Sequence, residues 1–117
     1  MRLQHCALET RHEHVQAEIR FWGLLGLTEV RPPGDLGSRS VWMSGPGAQV
    51  HLLFARDPFP PPEGHAAFVV ENYDAAVQRL RDAGFEVNDR EAHWGAPRCF
   101  VRSPAGHRVE LMAAPPT

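Results

Sequence analysis

Among the side chains of this 117-residue sequence, its 7 histidines and 14 acidic residues are the ones best suited to move protons or hold a metal. Four of them stand at positions that repeat along the chain. His5 and His65 each open a short apolar stretch, HCALE and HAAFV, and lie 60 residues apart. His51 and Glu110 each interrupt a later apolar stretch, VHLLF and VELM, and lie 59 apart. Side chains alternate across a strand. In the first of these stretches Val50, Leu52 and Phe54 therefore take the side that packs on a helix and leave Gln49, His51 and Leu53 on the other. In the second, Val109 and Leu111 pack, and Arg108, Glu110 and Met112 face away. Three imidazoles and a carboxylate suit a borderline divalent ion such as zinc, nickel, iron, cobalt or manganese; without thiolates the set is not that of a structural, cysteine-rich zinc site. Any one of these histidines alone reads most simply as a hydrogen-bonded core residue. The four together predict a divalent-metal site of His5, His51, His65 and Glu110.

The elements that must position these residues follow from an internal repeat, in which residues 1–55 align with 61–114. Each half reads as a strand, a helix and three further strands. LQHCALE is the first strand. Thr10 followed by Glu13 has the spacing of a capping box, Val15, Ile19, Trp22 and Leu25 follow at helical spacing, and Gly26 closes a helix over 11–25. In the second half HAAFVV is the strand, Asn72 the N-cap, Ala76, Val77, Leu80 and Ala83 the apolar stripe, and Gly84 the terminator. Further strands are expected at 27–30, 40–44 and 48–55, then at 85–88, 98–102 and 107–113, with SGPG and SPAG as the turns. The proline-rich stretch at about 56–63 cannot continue a sheet ladder and separates module one, about 1–55, from module two, about 64–114. RPPGDLG at 31–37 reads as a loop inside the first module.

Several residues beside the four are candidates for holding a small molecule. Trp42 and Phe100 lie on corresponding middle strands, 58 apart, where they line a cleft or pack in the core. Trp94, with His93 in the AHWGAP loop, could cover a cleft mouth, and Gln49 shares the face of His51. Arg98 and Arg108 could grip an anion through a bidentate contact. His12 and His14 are expected to be exposed at the start of the first helix, His107 to lie on the surface at its turn, and Tyr73 to be structural.

Composition excludes other classes. The 12 basic residues are all Arg and are scattered, and the formal charge is −2, so nucleic acid is not an expected partner. No apolar run reaches the ~18 residues of a membrane span, and the N-terminus lacks the order of a signal peptide, which points to the cytoplasm. Cys6 and Cys99 are too few for a disulfide scaffold and read as buried free thiols. One α+β domain is expected, small enough that dimerisation would supply both stability and room for a site.

On His5, the FWGLLGL segment, GHAAFVV with His65, DAAVQRLRDAGFEV and FVRSPAGHRVELM with Glu110, the chain resembles the vicinal oxygen chelate superfamily along essentially its whole length. That superfamily includes glyoxalase I, methylmalonyl-CoA epimerase, fosfomycin-resistance enzymes, ring-cleaving dioxygenases and bleomycin-resistance proteins. The resemblance implies paired βαβββ modules, a U-shaped open mixed barrel with helices outside, and a homodimer. It also implies metal ligands at His5, His51, His65 and Glu110, and chelation of a substrate through two adjacent oxygens. Departures narrow the choice. Glyoxalase I normally has Glu at the position of His51, leaving Glu110 as the one carboxylate able to act as base. The fosfomycin enzymes carry Thr two residues after the first His, where this chain has Ala7. The dioxygenases use two His and one carboxylate, and the bleomycin-resistance type generally lacks the ligands. The implied function is a metal-dependent lyase or isomerase of glyoxalase-like type, with a non-catalytic binding protein or a ring-cleaving dioxygenase as alternatives.

Overall fold

A computed structural model describes residues 1–116, and the chain divides into two compact units, Met1–Pro60 and Pro61–Thr117. The first contains β1 (His5–Thr10), a 3-10 turn (His12–His14), α1 (Val15–Leu24), β2 (Thr28–Val30), a second 3-10 turn (Leu36–Ser38), β3 (Ser40–Gly45) and β4 (Ala48–Phe54). The second contains β5 (Ala66–Val69), α2 (Tyr73–Asp82), β6 (Val87–Arg90), β7 (Arg98–Arg102) and β8 (Arg108–Met112).

Each unit is one βαβββ module with the same strand order. The first sheet runs β1-β4-β3-β2 and the second β5-β8-β7-β6. In both, the first and last strands pair in parallel and the remaining neighbours are antiparallel, which makes each sheet mixed. The repeat is kept in the ladder itself. His51 is opposite Ala7 and Trp42 in the first sheet, and Glu110 is opposite Ala67 and Phe100 in the second.

The most deeply buried strand residues follow the alternation, although their neighbours on the other face, His51, Phe100, Glu110 and Met112, are also buried. In the first unit Phe21 and Trp22 of α1 are fully buried with Met43, Val50 and Leu52 of the sheet, and the two rings meet edge to face at 5.1 Å. In the second, Ala76, Val77 and Leu80 of α2 are buried with Cys99, Val101, Val109 and Leu111. Each large apolar side chain so buried contributes about 1.5–3 kcal/mol before entropy is charged against it. That leaves the alternate residues of β4, β7 and β8 free of the helix-packed core.

The same cap closes both helices. Leu27 N–H donates to Trp22 O and Phe85 N–H to Leu80 O, with Gly26 at φ +93° and Gly84 at φ +90° between them. This is a Schellman arrangement, which the two glycines signalled. It also explains why the strand expected at 85–88 starts at Val87, since Phe85 is spent on the cap.

Other expectations are corrected at helix starts and turns. Thr10 does not cap a helix; it is the fully buried last residue of β1, its hydroxyl donates to Arg11 O, and the helix begins after an intervening 3-10 turn. Asn72 does stand at the N-cap, but with left-handed backbone (φ 51°, ψ 51°) and no side-chain cap bond. His107 is buried rather than on the surface, its backbone N–H donating to Ser103 Oγ at 3.2 Å within the β7–β8 turn. Both cysteines are free, Cys99 buried and Cys6 half-buried, and burial pushes both thiols up.

Candidate functional site

In the first unit the candidate residues form a stack. Trp42 on β3 and His51 on β4 are direct cross-strand neighbours, and their rings lie parallel within 3° at 3.8 Å between centroids. His5, at the start of β1, stacks on His51 at 4.0 Å and 19°. Gln49, two residues before His51 on the same face, accepts a hydrogen bond from His51 Nε2 at 2.9 Å, and its amide nitrogen donates to Ser44 Oγ at 3.2 Å. His5 Nδ1 donates to Gln4 Oε1 at 2.7 Å. His51 is 6 % exposed, and burial first, then the charge of His5, holds its imidazole below the ordinary value. His12 is exposed, as expected, and stacks on Phe54 at 3.8 Å.

The second unit assembles an ionic cluster at the equivalent place. Glu110 on β8 is buried, and its two oxygens have different partners. His65 Nε2 lies 3.0 Å from Oε1, and Arg98 Nη1 donates to Oε2 at 3.2 Å. Arg98 is itself fixed, because its Nε donates to Glu91 O at 2.8 Å. Phe100, opposite Glu110 in the ladder, meets His65 edge to face at 4.9 Å and lies under the Arg108 guanidinium at 3.8 Å. Trp94 is tethered through Nε1 to Ala114 O at 2.8 Å, with Arg98 over its ring at 5.5 Å.

The structure thus brings His5 onto His51 in one unit and His65 onto Glu110 in the other. Among the described residues no group of three or more His, Cys, Asp or Glu side chains is gathered as a metal ion would gather them. Each pair can be tested for its fit to a divalent metal. In the second unit, two donors 3.0 Å apart have about the separation of neighbouring ligands at right angles on bonds of ~2.1 Å. His65 Nδ1 also donates to Glu63 O at 2.9 Å, the outer hydrogen bond that commits Nε2 to ligation. In the first unit, Nδ1 of His5 is likewise occupied, leaving Nε2 available. His51 Nε2 is spent on Gln49, so the nitrogens left for an ion in this stack are His5 Nε2 and His51 Nδ1. Within each pair the donor types, imidazole with imidazole and imidazole with carboxylate, suit a divalent ion.

Arg90 went unremarked in the sequence. It stands on β6 directly opposite Arg98, and its guanidinium lies 5.4 Å from the Phe100 ring. The signal was the cap at Gly84 and Phe85, which moves the strand two residues on and carries it through Arg90. Glu18 was missed too; it is fully buried on α1 and accepts from Trp22 Nε1 at 3.4 Å.

Comparison with known proteins agrees with the fold. The glyoxalase-like domain family matches residues 7–112. Among solved structures, one described as a glyoxalase family protein from Bacillus anthracis superimposes with a TM-score of 0.85 at 25% identity, covering 96% of this chain and 93% of that one. A fosfomycin resistance protein from Listeria monocytogenes gives 0.77 at 17% identity, covering 97% and 91%. A lactoylglutathione lyase from Agrobacterium tumefaciens gives 0.69 at 21%, covering 94% and 91%. No curated protein matches the sequence. With two modules of identical topology and a family match spanning nearly its whole length, the chain belongs to the glyoxalase-like domain family of the vicinal oxygen chelate superfamily.

Proposed function

We propose that the protein is a divalent-metal-dependent lyase or isomerase of glyoxalase-like type, homodimeric, acting on a small molecule that presents two adjacent oxygens. The observation that carries this reading is the buried Glu110, paired with His65 on one oxygen and Arg98 on the other. Divalent metals are typical of the superfamily. His5, His51, His65 and Glu110 are the ligands in this reading, and the ion would supply Lewis acidity for charge developing on the substrate oxygens.

The remaining steps belong to the chain's own side chains. Glu110 is the carboxylate that can accept a proton from a substrate carbon at Oε1 and return it. Arg98 holds Oε2, so the carboxylate plane is set while Oε1 stays directed at His65. The hydrogen bond from His65 Nδ1 to Glu63 O fixes the imidazole opposite Oε1. Trp42 offers a flat wall already aligned with His51, and Gln49 an amide beside it.

Elemental analysis of the purified, tag-free protein beside His65→Ala and Glu110→Ala variants tests the reading. Near-stoichiometric transition metal in the wild type, lost in both variants, is the expected result, and dicarbonyl, epimerisable thioester and catechol substrates would then be screened. Wild-type protein that takes up no metal on reconstitution overturns it. One observation favours a second reading, a non-catalytic binding protein: the parallel stack of Trp42, His51 and His5 is an aromatic surface that suits a flat ligand. Saturable quenching of tryptophan fluorescence by a planar ligand in metal-free protein, lost in Trp42→Leu, would support it.

A further inference from the structure

The second unit carries a cationic groove that the function proposed above leaves unused. On the sheet face that alternation leaves free of the core, β6 presents Arg90, β7 presents Arg98 and Arg102, and β8 presents Arg108. The ladder sets Arg90 directly across from Arg98, and Arg102 directly across from Arg108. Like charges directly opposite each other destabilise a sheet. Four of the chain's 12 basic residues therefore share one face with a single inward carboxylate, Glu110, in a chain whose formal charge is −2. Packing alone gives no reason for that concentration.

Only Arg98 has its charge answered there, by Glu110 at 3.2 Å. Among the described residues the other three have no carboxylate partner. Arg102 donates to the carbonyl oxygens of Gly106 and Pro62 at 3.0 and 3.1 Å, Arg108 to that of Glu63 at 3.5 Å, and Arg90 contacts the Phe100 ring. With Phe100 they line an open groove of about 510 Å³, within the size range of small-molecule sites. Asp89 also borders it, but that carboxylate accepts from Arg81 at 3.3 Å.

Phe100 organises the cluster. Phe100 is 8 % exposed, with the Arg108 guanidinium carbon 3.8 Å and that of Arg90 5.4 Å from its ring centroid. A guanidinium over an aromatic face is held by cation–π attraction and keeps its N–H donors in its own plane, available to an acceptor beyond the ring edge. A carboxylate has two oxygens and fills one such fork. The forks of Arg90 and Arg108, with the N–H groups that Arg102 has left beside its two carbonyl contacts, call for an anion with three acceptor oxygens and close to two charges.

We propose that this groove binds a phosphoryl group, free or as the monoester of a small molecule, with Arg90, Arg102 and Arg108 as its ligands. The proposal goes beyond the reading above and requires nothing of the metal-ligand set.

Isothermal titration calorimetry of the full chain at constant ionic strength tests it, with inorganic phosphate, phenyl phosphate and acetate as probes. Saturable binding of a phosphate probe and none of acetate is expected. Arg90→Gln and Arg108→Gln should each weaken it about tenfold, the loss of one charge-assisted contact. Arg20→Gln, an exposed position on α1, should leave it unchanged. Tighter binding of phenyl phosphate than of inorganic phosphate would identify a monoester as the ligand, and equal binding the phosphoryl group alone. Arg108 packs on Phe100, so if that variant does not fold, the exposed Arg90 carries the test. No saturable phosphate binding, equal binding of acetate, or equal weakening by Arg20→Gln overturns the proposal.

Discussion

His51 ties the chemistry of the first unit to its stability. Burial and the neighbouring His5 hold its imidazole below the ordinary 6.5, so the folded protein keeps His51 neutral where the unfolded chain would bind a proton. The unfolded state then binds more protons, and stability rises with pH across that interval. The contribution is complete above about pH 6.5 and is lost as pH falls through the folded-state value. Urea unfolding midpoints between pH 7.5 and 5.0 should therefore fall more steeply for the wild type than for His51→Gln; identical slopes would sink the assignment. Metal affinity should decline as pH falls below about 6.5, because protons compete with the ion for imidazole nitrogen. Glu110→Gln keeps the shape of the side chain and removes its capacity as a base. Once a turnover assay exists, kcat should fall by about 10²–10⁴-fold, with the melting temperature shifted little. Loss of folding instead would mean that the carboxylate serves Arg98 and His65 structurally. The equivalence of His51 and Glu110 was legible because strand period and repeat offset fix it. The engagement of Glu110 by Arg98 was not, because a contact between neighbouring strands depends on a diagonal that spacing along the chain does not specify.

At the level of elements, the two Schellman caps show which sequence signals survive folding. Gly26 and Gly84 could be read as terminators because the left-handed conformation they supply excludes most other residues. Thr10 and Glu13 carried an equally recognisable signal that failed, because β1 runs through Thr10 and buries it before a helix can start. Tertiary burial outweighs a cap worth about 1 kcal/mol. A local signal is thus reliable where backbone geometry enforces it and unreliable where side-chain hydrogen bonding merely favours it. Gly84→Ala should accordingly destabilise the protein by about 1–2 kcal/mol through backbone strain alone, since a Cβ there meets nothing within 4 Å. Gly45→Ala tests the opposite mechanism. Its φ is unremarkable, but the added Cβ would lie 2.9 Å from Leu27 Cδ2, the tip of a side chain that can shift, so the cost should be the smaller of the two. Denaturant midpoints of both variants order the effects, and a Gly84→Ala protein as stable as wild type would contradict the cap.

For the whole molecule the question is how a chain of 13.1 kDa disposes of the apolar surface it leaves outside. Leu3 is 81 % exposed, Phe59 85 % and Val69 55 %, and no helix is long and apolar enough to cross a membrane. Val69 lies on β5, the end strand of the second sheet, and a sheet edge beside an exposed apolar side chain invites association. A small domain also buries a smaller fraction of its surface than a large one, so a second copy is the direct remedy. Sedimentation velocity should find a species of about twice 13.1 kDa that dissociates on dilution. Val69→Lys, which places a charge on that edge, should shift the equilibrium towards the monomer with its circular dichroism unchanged. A wild type that is monomeric at every concentration would remove the homodimer from the proposal. The His65 and Glu110 pair and the arginine groove, built within the second unit, would keep their own tests.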